Sequence, residues 1–162
     1  MDQLRNIINK FTEWLACAIL AIMTVLVTWQ VITRFVFKAP SSITEALAKY
    51  LFVWLILITA AYVVGKREHM AIEFFVARYS FKTRTILEIV VEICIFLFAA
   101  IVLTYGGGYI AMNAMSQADS ALSIPMGIVY LALPVSGVLS MFYSFCNIID
   151  EIKKFKIGEA MQ

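Results

Sequence analysis

The chain has 162 residues, of which 62% are apolar and 15% charged, and its formal net charge is +2. Soluble domains carry roughly 25% charged residues, so this composition excludes an ordinary soluble protein and predicts an integral membrane protein in contact with the lipid bilayer. A net charge this small, with basic residues that never interleave with exposed aromatic residues, gives no support for a nucleic-acid partner.

The first apolar run extends from Trp14 to Thr33, and its 20 residues carry no charge. At about 1.5 Å per residue this length matches a hydrocarbon core about 30 Å thick, which predicts a transmembrane helix over residues 14–36. Before it, apolar residues recur at helical spacing and predict a short amphipathic helix at the membrane interface. These residues are Leu4, Ile7, Ile8, Phe11 and Leu15.

The second apolar run, Tyr50 to Gly65, has only 16 residues and is too short to span the core alone. We therefore extend the predicted helix back to Ala46, giving residues 46–65, with Lys49 near the helix end where its ammonium group can reach the headgroups. Glu45 and Lys49 then form an (i, i+4) pair in the favourable order.

A charged stretch, residues 66–84, separates this helix from a third one predicted over residues 86–110. Part of the stretch, residues 69–82, is a candidate for a surface helix. Three glycines at 106–108 allow close approach of another helix or soften the helix end, and the sequence favours neither.

The fourth helix is predicted over residues 124–149, with Pro125 in its first turn. Pro134 lies inside this range and lacks a backbone N–H, so the Tyr130 carbonyl loses its usual donor and a kink is expected. The chain is thus predicted to be a single all-α membrane domain, residues 1–162, with four transmembrane helices.

Orientation follows from the distribution of basic residues. Of the 13 Lys and Arg residues, ten lie before the first helix, in the central stretch or after the fourth helix. The positive-inside rule therefore places both chain ends and the central stretch in the cytoplasm, and the two shorter connections outside.

The middles of the four predicted helices offer almost no polar groups; Thr28, Gln30 and Thr59 are the most polar residues there. An ion-coupled carrier needs polar groups or broken helices near the midplane, so the chain is not expected to carry an ion by itself. No nucleophile–base pair or metal-ligand spacing occurs, and His69 is the only histidine. We expect no enzymatic activity and no metal or other cofactor.

Several polar and aromatic residues are candidates for structural or partner contacts. Arg34 and Gln30 lie one turn apart near the outer end of the first helix, and Glu45 lies across a short connection. An Arg34–Glu45 contact that fixes the outer loop and two independently anchored charges are equally consistent with this spacing. Trp54 marks either a helix contact or a lipid-facing position, and His69 is best explained as a helix-end residue.

The sequence as a whole resembles the small membrane subunit of tripartite ATP-independent periplasmic (TRAP) transporters. The similar segments are Trp29–Phe37 with Pro40, Thr44–Tyr50 with Phe52 and Trp54, His69–Glu73, and Ile124–Tyr130 with Pro134 and Gly137. Departures are mild: Lys49 stands where arginine is common, Thr59-Ala60-Ala61 replaces a Gly-Ala step, and Glu73 replaces aspartate.

The resemblance implies a DctQ-like scaffold subunit of the bacterial inner membrane. Its partners would be a large (M-type) membrane subunit, which carries an organic acid with sodium, and a periplasmic substrate-binding protein. C4-dicarboxylates, keto acids and sialic acid are the implied substrates, with sialic-acid systems the most similar. A small four-helix homodimeric exporter is the alternative, but it requires a membrane-embedded carboxylate that the first helix lacks. A four-helix membrane enzyme is a third, less favoured hypothesis.

Overall fold

We analysed a computed structural model that describes residues 2–39, 41–66 and 81–160. The helices are α1 (Asp2–Phe35), α2 (Ser42–Lys66), α3 (Phe81–Phe98), a π-helix (Ala99–Gly106), α4 (Gly107–Ala114), α5 (Gly127–Tyr130) and α6 (Ala132–Ala160). Four helical stretches are long and apolar enough to cross a membrane: Arg5–Phe35, Ser42–Lys66, Thr83–Ala114 and Gly127–Lys153. We call them the first to fourth spans. The predicted all-α class with four membrane helices is confirmed.

Helix α1 joins the predicted amphipathic segment and the first span into one continuous helix of 34 residues, about 51 Å long. Of its described side chains, only Thr12 and Ile19 are buried. Large apolar side chains such as Trp14 and Val25 are instead exposed along its length. Most of the helix surface is therefore left for lipid or another protein.

The third span changes its hydrogen-bonding pattern in the middle. Residues Ala99–Gly106 form a π-helix between α3 and α4, and the Thr104 hydroxyl donates to the Ala99 carbonyl, five residues earlier, at 2.9 Å. The π-helix cannot be predicted from hydrophobic periodicity, because every residue from 99 to 103 is apolar.

The fourth span is interrupted at a single residue, Leu131. Helix α5 ends at Tyr130 and α6 begins at Ala132, but Leu131 keeps a helical backbone and its carbonyl accepts from the Val135 N–H at 3.2 Å. Pro134 explains the interruption, because it has no N–H to donate to the Tyr130 carbonyl. The kink expected at this point stays a prediction.

Among the described residues, the spans pack in a row: first, second, fourth, third. Helix α1 contacts α2, α2 contacts α6, and α6 contacts α3 and the π-helix. The first and third spans thus lie at opposite edges of an arrangement one helix thick.

Four glycines permit close approaches within this row, and one of them, Gly127, lies where an added Cβ would come within 2.5 Å of the Ala111 carbonyl oxygen. A Cβ atom on Gly65 would lie 2.7 Å from the Tyr143 ring, and one on Gly137 would lie 2.5 Å from the Thr104 hydroxyl oxygen. Of the glycines at 106–108, a Cβ atom added to Gly107 would lie 2.6 Å from Leu133 Cβ, whereas one added to Gly108 would meet nothing within 4 Å. Close helix approach therefore explains Gly107 and does not explain Gly108.

Candidate functional site

A cluster of hydrogen-bonded polar side chains joins all four spans at one end of the row. Arg5 of α1 forms an ion pair with Asp150 of α6, with Nη1 and Oδ2 separated by 2.9 Å. Its Nη2 donates to the Gly65 carbonyl of α2 at 2.5 Å and to Asn147 Oδ1 at 3.0 Å. One guanidinium group thus fixes the start of the first span to the ends of the second and fourth.

Asn147 extends the cluster to the third span. Its Nδ2 donates to the Val64 carbonyl and to Glu92 Oε1, both at 2.9 Å. Ser144 Oγ lies 2.7 Å from both Glu92 Oε2 and the Glu92 backbone oxygen. Ser144 and Asn147 are fully buried, and Glu92 is 7% exposed. We call Arg5, Glu92, Ser144, Asn147 and Asp150 the polar cluster.

Aromatic packing supports the cluster from the side of the first span. Tyr143 is fully buried against Gly65, and its hydroxyl group lies 3.4 Å from the Thr12 hydroxyl. Thr12 is 1% exposed. These contacts place α1, α2 and α6 in register one or two turns above the Arg5–Asp150 ion pair.

The geometry of the cluster suits a structural role. Each polar group described above contacts another, and leaving one of them unpaired would cost roughly 1–3 kcal/mol. No group of three or more His, Cys, Asp or Glu side chains that could hold a metal ion occurs among the described residues. The cluster therefore ties the helices together at a fixed register.

The opposite end of the row carries a small cleft of about 330 Å³ between the start of α2 and the connection before α5. Glu45, Lys49, Tyr50 and Asp119 line it. Asp119 Oδ2 accepts hydrogen bonds from the backbone N–H groups of Ala121 and Leu122, both at 3.0 Å. These bonds, the one from Leu122 above all, lower the pKa of the Asp119 carboxyl group. The Asp119 carboxylate thus stabilises the turn formed by residues 119–122.

Near the outer ends of the first two spans, Glu45 and Arg34 each contact a neighbour on their own helix. Lys49 Nζ and Glu45 Oε1 form the predicted (i, i+4) ion pair at 2.6 Å, and both side chains are well exposed, so the pair adds little stability. Arg34 stacks over the Phe35 ring at 6.0 Å, and Glu45 has Lys49 as its ion-pair partner. The Gln30 side chain is half-buried, and the backbone carbonyl of Gln30 accepts a hydrogen bond from the Thr33 hydroxyl.

The other predicted residues are also dispersed. Trp54 is half-buried in α2, and Tyr130 is 37% exposed at the end of α5. Pro125 forms an isolated bridge with Ala118, and Pro134 packs near Gly107. His69 and the predicted surface segment 69–82 lie, up to residue 80, outside the described residues. The partner-contact roles assigned to all these positions stay predictions.

The polar cluster cannot be predicted when each charged residue is considered by itself. A signal exists in the fourth span, where polar residues recur at helical spacing on an otherwise apolar helix. They are Ser136, Ser140, Ser144, Asn147 and Glu151, and all five are buried. A buried polar stripe of this kind indicates a helix that contacts other helices rather than lipid.

Comparison with known proteins places the chain among transporter subunits. A family model described as "Tripartite ATP-independent periplasmic transporters, DctQ component" matches residues 23–154. The chain is 28% identical over 153 residues to the sialic acid TRAP transporter small permease protein SiaQ of Vibrio cholerae, covering 94% of this chain and 88% of that protein. It is 34% identical over 140 residues to the sialic acid TRAP transporter permease protein SiaT of Haemophilus influenzae, covering 83% of this chain and 22% of SiaT. It is also 28% identical to the isethionate TRAP transporter permease protein DctMQ of Oleidesulfovibrio alaskensis, covering 79% of this chain and 21% of that protein.

Proposed function

We propose that this chain, which belongs to the DctQ component family of tripartite ATP-independent periplasmic (TRAP) transporters, acts as a scaffold. It is a small TRAP permease subunit of the bacterial inner membrane. In this role it packs against a larger membrane subunit, which moves the substrate. A periplasmic binding protein delivers that substrate to the assembly.

The row of four spans is the observation that carries this proposal. A helix arrangement one layer thick cannot enclose a substrate path, and it leaves two broad apolar faces. The polar groups of the cluster form hydrogen bonds between helices. This favours a role in holding the helices rigidly together over a role in binding a coupling ion. SiaT and DctMQ add support, since a segment similar to this chain makes up about a fifth of each of those longer permease proteins.

An organic acid, and specifically sialic acid, is the substrate class that we propose for the whole transporter, with sodium as the coupling ion bound by the larger subunit. The names of SiaQ and SiaT support sialic acid, while the isethionate transporter DctMQ shows that relatives with another named substrate match as well.

Reconstitution into proteoliposomes tests the proposal. We expect sialic-acid uptake to require this chain, the large subunit, the binding protein and an inward sodium gradient, and this chain alone to transport nothing. The two membrane subunits should also copurify at a fixed stoichiometry. Uptake by vesicles that contain this chain without the large subunit would refute the scaffold role, whereas uptake of a different acid by the full set would refute only the substrate.

A further inference from the structure

We propose that the cleft between the start of α2 and the connection before α5 binds the phosphoethanolamine headgroup of a membrane phospholipid. The acyl chains of this lipid lie along the exposed apolar strip that α2 and α5 present beneath the cleft. We call it the α2–α5 cleft. Such a lipid site goes beyond the scaffold role and does not depend on it.

The lining of the α2–α5 cleft carries charges of both signs. Its charged side chains are Glu45, Lys49 and Asp119, so two carboxylates and one ammonium group give it one net negative charge. Lys49 Nζ and Glu45 Oε1 are 2.6 Å apart, but 69% and 55% of these two side chains stay exposed. Asp119 is ionised at neutral pH, because its hydrogen bonds, above all the one from the Leu122 N–H, lower the pKa of its carboxyl group. All three charges can therefore meet a ligand.

A headgroup with a phosphate and a primary ammonium group matches these charges. Glu45 and Asp119 can accept hydrogen bonds from the ammonium group, and Lys49 can donate to the phosphate. The hydroxyl groups of Ser42 and Ser120 also line the cleft, and a hydroxyl can both donate and accept. A choline headgroup carries the same charges but has no N–H to donate, and a glycerol headgroup has no cation. Both should bind more weakly than phosphoethanolamine.

Apolar surface continues from the cleft along both of its walls. Val53 and Ile56 follow Lys49 on the same face of α2, and they are 36% and 48% exposed. On the other wall, Met126 lines the cleft, and Tyr130, one turn later at the end of α5, is 37% exposed. Both helices lead from the cleft toward the middle of the membrane. A charged cleft above an apolar strip fits a phospholipid, whereas a water-soluble ligand would leave the strip unused.

Native mass spectrometry of the delipidated full-length chain tests the site with three phospholipids that share dioleoyl chains. We expect phosphatidylethanolamine to bind about tenfold more tightly than phosphatidylcholine, which is the order expected from one hydrogen bond to a charged group. Phosphatidylglycerol should bind as weakly as phosphatidylcholine. Equal binding of all three lipids to the wild type would overturn the proposal.

Two double variants locate the preference. Glu45→Gln with Lys49→Gln removes the charges of the exposed (i, i+4) pair at the cleft and should abolish most of the preference. Arg84→Gln with Glu88→Gln is the matched control, because it removes another (i, i+4) pair, at 2.9 Å, on α3. Pairs of this kind add little stability, so both variants should fold. Lys49→Arg, which keeps the charge, should retain the preference. A preference that survives the first double variant, or that the control loses, contradicts a site in this cleft.

Competition distinguishes a lipid from other occupants. Water-soluble phosphoethanolamine, added at the concentration of the lipid, should not displace phosphatidylethanolamine, because it cannot use the apolar strip. Full displacement would assign the cleft to a soluble ligand and refute the lipid. If the Glu45 and Lys49 substitutions instead weaken binding of the periplasmic binding protein and leave lipid preference unchanged, the cleft is a protein-docking site and the proposal fails.

Discussion

Asn147 is the side chain through which all four spans meet. Its amide group contacts the Val64 carbonyl, Arg5 and Glu92 while remaining fully buried. Hydrogen bonds between membrane helices contribute about 0.6 kcal/mol each on average. Removing all three should therefore cost about 2 kcal/mol, and more if the freed partners stay unsatisfied.

We accordingly predict that Asn147→Ala lowers the Tm of the purified chain by about 4–8 °C. Asn113→Ala is the control, because Asn113 is an exposed asparagine at the opposite end of the third span. Thermal unfolding followed by circular dichroism measures both. Equal Tm values for the two variants would show that the polar cluster does not hold the helices together.

Asp119 provides a prediction outside the membrane spans. Its carboxylate accepts hydrogen bonds from two backbone N–H groups of the same loop, and these hydrogen bonds lower the pKa of the Asp119 carboxyl group. A carboxyl group with a lowered pKa in the folded state adds stability above its unfolded pKa, and this stability is lost as pH falls through the lower, folded pKa. The loop should therefore loosen in acid.

We expect Asp119→Asn to make the loop easier to cleave at neutral pH, and we expect the difference between wild type and variant to shrink below pH 4, where the wild-type carboxylate becomes protonated. Limited proteolysis of the 115–126 connection at both pH values measures the effect. Ser120→Ala serves as the control, since Ser120 is exposed in the same loop. A cleavage difference that is unchanged in acid would contradict the assignment.

At the level of elements, contact between the third and fourth spans depends on small residues that face each other. Gly137 lies against Thr104, where an added Cβ would approach the hydroxyl oxygen to 2.5 Å and the backbone nitrogen to 2.9 Å. Backbone atoms cannot move aside as a flexible side chain can. The two helices must therefore separate to admit a methyl group.

Gly137→Ala should consequently destabilise the row, with a Tm loss of several degrees, because overpacking costs about 1–3 kcal/mol. Gly108→Ala adds the same methyl group where nothing lies within 4 Å, so helix propensity should leave it neutral or slightly stabilising. Unfolding in a denaturant series compares the two. A destabilising Gly108→Ala would refute the packing argument.

How far the sequence predicts these elements depends on the physical signal that each one leaves. Apolar length is local, so the four spans and the Glu45–Lys49 pair can be predicted from spacing alone. The π-helix leaves no such signal, because apolar residues surround it, whereas Pro134 signals the interruption at Leu131. The polar cluster depends on residues up to 145 positions apart, and only the stripe of buried polar residues on the fourth span hints at it.

At the scale of the whole molecule, the start of α1, the end of α2 and Asp150 lie together at one end of the row, held by Arg5. The sequence predicts that this end faces the cytoplasm, and the connection around Ser120 the periplasm. Ser120→Cys, in a background without the three native cysteines, should react with a membrane-impermeant maleimide added to intact cells. Cysteine placed at Gln3 should react only after the cells are opened. The reverse pattern would invert the topology.

The π-helix gives the third span one residue more than an α-helix needs to keep the same face. Residues five apart would point about 140° away from each other in an α-helix, yet Ala99 and Thr104 both face the fourth span. Losing a single residue between them would place them four apart, only about 40° from each other in an α-helix, so the stretch could become regular while Gly107 still faces Leu133. A one-residue deletion within Ala99–Gly106 should therefore be tolerated better than one in α3, where it would rotate everything beyond it by about 100°.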